Sequence, residues 1–214
     1  MPASSTLTPY SPDKLIAGET ILHHEKITLV TPENRARASL LGKISIGAAV
    51  AAAIAGNTGN GVFGAVTTGA DAKVGVYKVI FIEPGANVGT FIVEDPDGII
   101  LGKGVVAVAF AGAINFTIAD GAADFVAGDG FTVTVAEGSG KYKLSAAAAT
   151  DGSQRPLAIL AEDADATAAD VEALVYTTGD FNEDALVLGV GHTVASVREA
   201  LRARGIFLIS VQGA

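Results

Sequence analysis

The sequence predicts a mainly β protein with one short helix near its C-terminus. Three observations carry this expectation. Ala and the β-branched residues Val and Ile dominate the apolar half of the 214 residues, and aromatic residues make up only 6%. Twenty-six glycines are scattered through the chain, as tight turns between strands require. Many short stretches alternate apolar and polar residues, the period of a half-buried strand, whereas one stretch has helical period.

Composition narrows the function classes. The chain has no Cys, so a disulfide framework, a thiolate zinc site and a Cys nucleophile are excluded. Its 23 acidic residues outnumber 14 Lys and Arg, for a net charge of −9. That balance argues against nucleic acid as a partner, because phosphate binding needs a basic patch. The longest apolar runs, residues 46–56 and 104–114, fall well short of the roughly 20 residues of a membrane span. Residues 1–9 have no basic start followed by an apolar stretch, so no signal peptide is expected. The expectation is a soluble protein made in the cytoplasm.

Residues 1–13 (MPASSTLTPYSPD) are rich in Pro, Ser and Thr without strand or helix period. They read as a flexible arm. Residues 20–30 (TILHHEKITLV) read as a strand, Thr31-Pro32-Glu33-Asn34 as a turn, and residues 40–46 (LLGKISI) as a second strand.

Residues 47–140 have a texture of their own. They carry three lysines and no Arg against nine acidic residues, −6 of the net −9, and seven of the nine Phe. Gly-rich stretches, residues 47–61 and 137–140, flank them and read as linkers. Together these features mark a separate inserted domain. Within it, strands are expected at residues 76–82, 90–94, 99–101 and 105–110. The Asp95-Pro96-Asp97-Gly98 sequence has the composition of a turn. Ile114, Phe116 and Ile118 alternate with polar residues, as do Phe131, Val133 and Val135. About six short strands without a helix suggest a small immunoglobulin-like β-sandwich.

The remainder, residues 141–214, predicts strands at 142–145, 157–161 and 173–176. A helix is expected over residues 193–204: Thr193 can cap it, Val194, Val197 and Leu201 form one apolar face, and Gly205 ends it. A closing strand follows at 206–211.

Candidate chemistry is sparse. His23 and His24, adjacent in a strand, project to opposite faces and cannot share a metal. His192 stands alone before the helix. The acidic runs holding Asp120, Asp124 and Asp129, and Glu162, Asp163 and Asp165, lack calcium-loop spacing and read as solvated turns. The Gly98 to Gly104 run lacks phosphate-loop spacing, and no G-x-S-x-G elbow is present. The expectation is no enzyme, no catalytic or metal residues and no cofactor.

The segments 40–46 and 141–214 together resemble the lambda-type bacteriophage head decoration protein family. The most specific matches are Thr150-Asp151-Gly152 running to Ile159-Leu160, and residues 175–182 (VYTTGDFN). Residues 7–30 match the family's arm and first strands more loosely. In compact members the first of these segments runs almost directly into the second, so residues 47–140 are interposed here. The resemblance implies a small β-tulip or β-clip core formed by residues 14–46 and 141–214. It implies a homotrimer on the outside of the expanded head, at three-fold and local three-fold sites. There it would clamp the major capsid protein against internal DNA pressure. The family pattern places capsid contact on the arm, at Thr6, Leu7, Pro9 and Tyr10. Arg155 and Pro156 are assigned to the trimer interface. No nucleic acid or membrane partner is implied, and the location is the outer surface of the virion. The alternative is a display scaffold whose inserted domain binds host-surface glycans or other receptors.

Overall fold

The computed structural model describes residues 14–211. In chain order the strands are β1 (His23–Leu29), β2 (Glu33–Arg35), β3 (Leu40–Lys43), β4 (Ile46–Ala53), β5 (Val62–Phe63) and β6 (Thr67–Thr68). Next come β7 (Gly75–Gly85), β8 (Val88–Glu94), β9 (Ile100–Val105), β10 (Ile114–Asn115), β11 (Ile118–Ala119) and β12 (Gly130–Glu137). Then follow β13 (Tyr142–Leu144), β14 (Pro156–Leu160), β15 (Ala164–Ala166), β16 (Val171–Asn182), the helix α1 (Val194–Arg202) and β17 (Ile206–Ile209). The protein is mainly β with one short C-terminal helix, as its composition predicts. No helix among the described residues is long and apolar enough to cross a membrane.

The first and last thirds of the chain share one sheet, ordered β1-β13-β3-β14-β16-β17. β1 also pairs antiparallel with β16, from Glu25 opposite Val175 to Leu29 opposite Val171. This pairing closes five strands into a small barrel, with β17 parallel to the C-terminal half of β16. Neighbouring residues in these strands serve two different cores. Leu41, Ala158, Leu160 and Val175 pack inside one with Ile27 and Leu29. Leu40, Ile159 and Tyr176 face a second, beneath α1, with Phe181, Val197 and Leu201. Side chains alternate across a strand, so a strand covered on both faces must be apolar at consecutive positions. The Leu40-Leu41 and Ala158-Ile159-Leu160 runs meet that need.

α1 follows its sequence signals closely. Thr193 is the N-cap, its Oγ1 accepting from Ser196 N while Ser196 Oγ accepts from Thr193 N. Val197 and Leu201 are buried against the barrel. Arg198 donates to Leu208 O at 2.6 Å and pairs with Glu183, tying α1 to β17 and to the end of β16. Gly205 takes φ +82°, a left-handed conformation that favours glycine.

The middle of the chain forms a five-stranded antiparallel sheet, β4-β12-β7-β8-β9. Its buried face carries Tyr77, Val79, Phe81, Phe91, Val93, Phe131, Val133 and Val135. Two short ribbons, β5–β11 and β6–β10, cover that face with Phe63, Ile114, Phe116 and Ile118, and Phe125 joins from a loop. Phe81 stacks on Phe125 at 4.1 Å between ring centroids, and Phe63 on Phe116 at 4.5 Å. The second layer is thus two-residue ribbons and loops, short of the complete second sheet of an immunoglobulin-like sandwich.

Four local expectations need correcting. Residues 47–61 are not a linker. Residues 46–53 form β4, paired with β12 from Ala53 opposite Phe131 to Ala49 opposite Val135. The Gly-rich remainder is packed: a Cβ on Gly59 or Gly61 would lie 2.5 Å from the Phe125 ring. Glycine serves close approach there, not flexibility. The 40–46 strand breaks after Lys43, because Ile44 N donates to Lys141 O while Ser45 N and Ile46 N both turn to Asp151 O. Residues 105–110 turn after Val105, with Ala107 at φ +64° and its N–H donating to Ile118 O, and Phe110 pairs with Phe116. Glu33 and Asn34, expected within a turn, belong to β2 and pair with β15.

Candidate functional site

The candidate site is a set of surfaces. The first is the root of the N-terminal segment. Asn182 N donates to Leu15 O at 2.8 Å, and Asn182 Nδ2 to Lys14 O at 3.1 Å. Asp180 O accepts from Ala17 N at 3.0 Å and its Oδ2 from Thr20 N at 3.1 Å. Leu15 is buried in the core beneath α1. The chain is therefore clamped along β16 from Lys14 to Thr20. The clamp uses the Asp180 and Asn182 of the TGDFN motif, so its signal stood in the sequence. The expected capsid-contact residues Thr6, Leu7, Pro9 and Tyr10 lie outside the described residues.

The second surface is the turn before β14. Gly152 has φ +93°, and a Cβ there would fall 1.9 Å from Ser45 Oγ. Asp151 Oδ1 accepts from Ser153 N at 3.1 Å and from Ser153 Oγ at 2.6 Å, and its Oδ2 pairs with Lys143 at 2.6 Å. Burial pushes the Asp151 carboxyl up, but Lys143 and the Ser153 donors outweigh it and hold it below the usual range. The turn is thus braced against the point where the chain passes from barrel to five-stranded sheet. Beyond it, Gln154 Nε2 donates to Ala70 O at 2.9 Å, and Arg155 approaches Asp71 at 3.4 Å. Pro156 is buried and Arg155 exposed. The two lie side by side on the wall of a cleft of about 500 Å³ opposite α1.

The histidines take scaffold positions. His24 packs its ring 4.8 Å from that of Tyr176. His192 Nε2 lies 3.1 Å from Ser145 Oγ, a pairing that superficially suggests a nucleophile and its base. The hydroxyl of Ser145, however, donates its one proton to Ser153 O at 2.7 Å. The imidazole must then donate to Oγ, so it cannot accept the serine proton. Ser145 is also fully buried. The contact is structural.

Four of the six acidic residues expected in solvated turns accept hydrogen bonds, and Asp129 departs from that expectation because it is buried. Asp129 is buried and accepts from Thr58 N at 3.0 Å, Gly59 N at 2.9 Å and Val126 N at 3.0 Å. Burial pushes its carboxyl up, yet these three N–H donors win and hold it low. Asp124 accepts from Asn87 N, Asp163 from Arg37 N and Asp165 from Thr167 N. No three His, Cys, Asp or Glu side chains among the described residues are grouped to hold a metal. Sequence reasoning missed the most connected polar group. Lys73 Nζ bridges buried Asp95 and exposed Asp97, each at 2.6 Å, while Asp95 Oδ1 accepts from Asp97 N and Ile99 N. The Lys73 contact, then the Ile99 N–H, hold the Asp95 carboxyl low. Lys73 is correspondingly raised, first by Asp95. This group pins the β8–β9 turn.

A closed barrel and an N-terminal root anchored on β16 define a β scaffold. The family model of bacteriophage lambda head decoration protein D matches residues 8–207, and the chain belongs to that family. The family points to a role in decorating the phage capsid, to capsid binding and to a place on the virion. It is a structural family, not a known enzyme family. No curated protein matches the chain. Two crystal forms of FlgL from Xanthomonas campestris are each 22% identical, with a TM-score of 0.33. They cover 47% and 46% of this chain, which spans 33% and 31% of theirs. Similarity at that level carries no argument about this protein.

Proposed function

We propose that this protein is a cement for the phage head, a homotrimer that binds the outside of the expanded capsid at three-fold and local three-fold sites. It stabilises the shell against the pressure of packaged DNA. The observation that carries this reading is the family match, which runs from residue 8 to residue 207 and so spans both ends of the chain. Residues 14–46 and 141–214 are the decoration core, and residues 47–140 an inserted domain. The separate apolar clusters support that division, since one draws on Ile46, at the boundary, and otherwise only on residues within 47–140, which the other two do not use.

Residues 1–13 bind the capsid, with Thr6, Leu7, Pro9 and Tyr10 as contacts. The clamp of residues 14–20 on β16 supports this, because it fixes where each arm leaves the body. Three arms per trimer bind multivalently, so modest affinity per arm becomes tight attachment. Arg155 and Pro156 lie at the trimer interface. The glycan-display alternative needs exposed aromatic faces on the insert. Phe81, Phe91, Phe116, Phe125 and Phe131 are buried instead, which favours the decoration reading.

The test is to delete residues 1–13 and measure mass in solution and binding to expanded capsids. A folded trimer that no longer binds supports the proposal. A truncated trimer that binds as well as the full chain refutes the arm.

A further inference from the structure

We infer that the cleft between the Gln154–Arg155–Pro156 wall and α1 receives the acidic turn after β14 of a second copy of this chain. The inference rests on the trimer reading above and names the groups that would meet across its interface. A cyclic trimer is built from head-to-tail contacts, so one chain must carry two different, mutually complementary patches. This chain carries such a pair at the two ends of one strand.

At the start of β14 lies the cleft, of about 500 Å³, with Arg155 on one wall and Arg204 and His192 on the other. On a protein of net charge −9, two arginines facing one cleft are a local reversal of sign. Neither is strongly committed. Arg204 has no hydrogen bond or ion pair from its guanidinium among the described residues. Arg155 has only the 3.4 Å contact with Asp71, between side chains 71% and 88% exposed, where water screens the pair. Between His192 and Arg204, the wall they share presents the small residues Ser196 and Ala200 of α1 and its C-cap Ala203, which let a partner backbone come close.

At the other end of β14, past Leu160, stand Glu162 and Asp163, both exposed. Glu162 has no ion pair among the described residues. The Asp163 Oδ1 accepts from Arg37 N at 2.7 Å and Ala161 O from Arg37 Nε at 2.9 Å, which together hold the turn in shape. The two patches are roughly 20 Å apart along an extended strand. A single chain cannot join them to each other, but neighbouring copies can. Opposite charges placed this way steer encounter and select the head-to-tail register over like-with-like pairing.

Charge reversal and rescue test this on the full chain. Arg204→Glu and Arg155→Glu are made singly, and Arg204→Glu also separates the cleft from any effect of the Asp71 contact. The acidic end is changed by Glu162→Lys with Asp163→Asn, which keeps an oxygen for Arg37 N. Unchanged far-UV circular dichroism and urea midpoints establish that each variant is folded. Mass is then followed against concentration. Each reversal should raise the concentration of half-assembly about tenfold or more. Combining Arg204→Glu with the acidic-end changes should return it to near the original value. Unshifted assembly in the single reversals, or failure of the combination to rescue, overturns the inference. A cleft variant that stays trimeric but loses capsid binding assigns the cleft to the capsid protein and also overturns it. An unmodified chain that is monomeric at every concentration refutes the trimer reading itself, an outcome distinct from the others.

Discussion

Replacing Asp129 should unlatch the five-stranded sheet from its covering loops. Asp129 is 5% exposed. Its Oδ1 accepts from Thr58 N, and its Oδ2 from both Gly59 N and Val126 N. Beside it, Asn57 and Gly130 exchange two hydrogen bonds of 2.8 Å each. Hydrogen bonds to a charged group contribute about 1.5–3 kcal/mol each, and a buried donor left unpaired costs about 1–3 kcal/mol. Three donors on one carboxylate are not additive, so Asp129→Ala should cost about 3–5 kcal/mol. Asp129→Asn is no conservative change. One amide oxygen can serve the Gly59 and Val126 donors, but its NH₂ then faces Thr58 N–H. That variant should lose about 1–3 kcal/mol.

Urea unfolding followed by circular dichroism gives the stability, and hydrogen exchange at Thr58, Gly59 and Val126 gives the site. pH supplies a second handle. The folded carboxyl is held below its ordinary value, so its contribution is complete above the unfolded value of about 3.9. It is lost as pH falls through the lower folded value. The unmodified protein should therefore lose more stability in acid than Asp129→Asn does. Equal urea midpoints for the two proteins at pH 7, with undiminished protection of the three amides, would refute the reasoning.

Other outcomes follow from the same geometry. Gly152→Ala combines a left-handed backbone with a Cβ against Ser45, and should cost at least about 1–3 kcal/mol in urea. Phe91→Ala empties a fully buried site in contact with Phe81 and Phe116, and a loss of about 3–5 kcal/mol is expected by thermal unfolding. Thr193→Ala removes the N-cap of α1 and should cost about 1 kcal/mol, read as earlier hydrogen exchange in the first turn of the helix. A Thr193→Ala protein as stable as the original would mean that packing of Val197 and Leu201 alone holds α1.

Much of this protein is legible in its sequence wherever the cause is local. Alternation placed Ile114, Phe116 and Ile118, and likewise Phe131, Val133 and Val135, on buried faces, because the strand period is set by the backbone. Thr193, Val197, Leu201 and Gly205 delimited α1 through capping and one apolar face. The family resemblance rested on residues 150–160 and 175–182, and the contacts of Asp151, Asp180 and Asn182 within them came only with the structure. The tertiary structure alone decided which strands meet. A Gly/Ala-rich run such as residues 47–53 lacks the bulky residues that announce a strand, and becomes one because β12 offers it a partner. The glycines at 59 and 61 look like slack in the sequence, yet they are where the chain must touch Phe125. Whether Asp129 or Asp95 is solvated or buried depends on donors 70 and 22 residues away. Arg155, Arg204 and His192 come to one cleft because α1 packs beside β14. Local spacing carries none of that, since pairing and burial are contacts between segments that the chain order keeps apart.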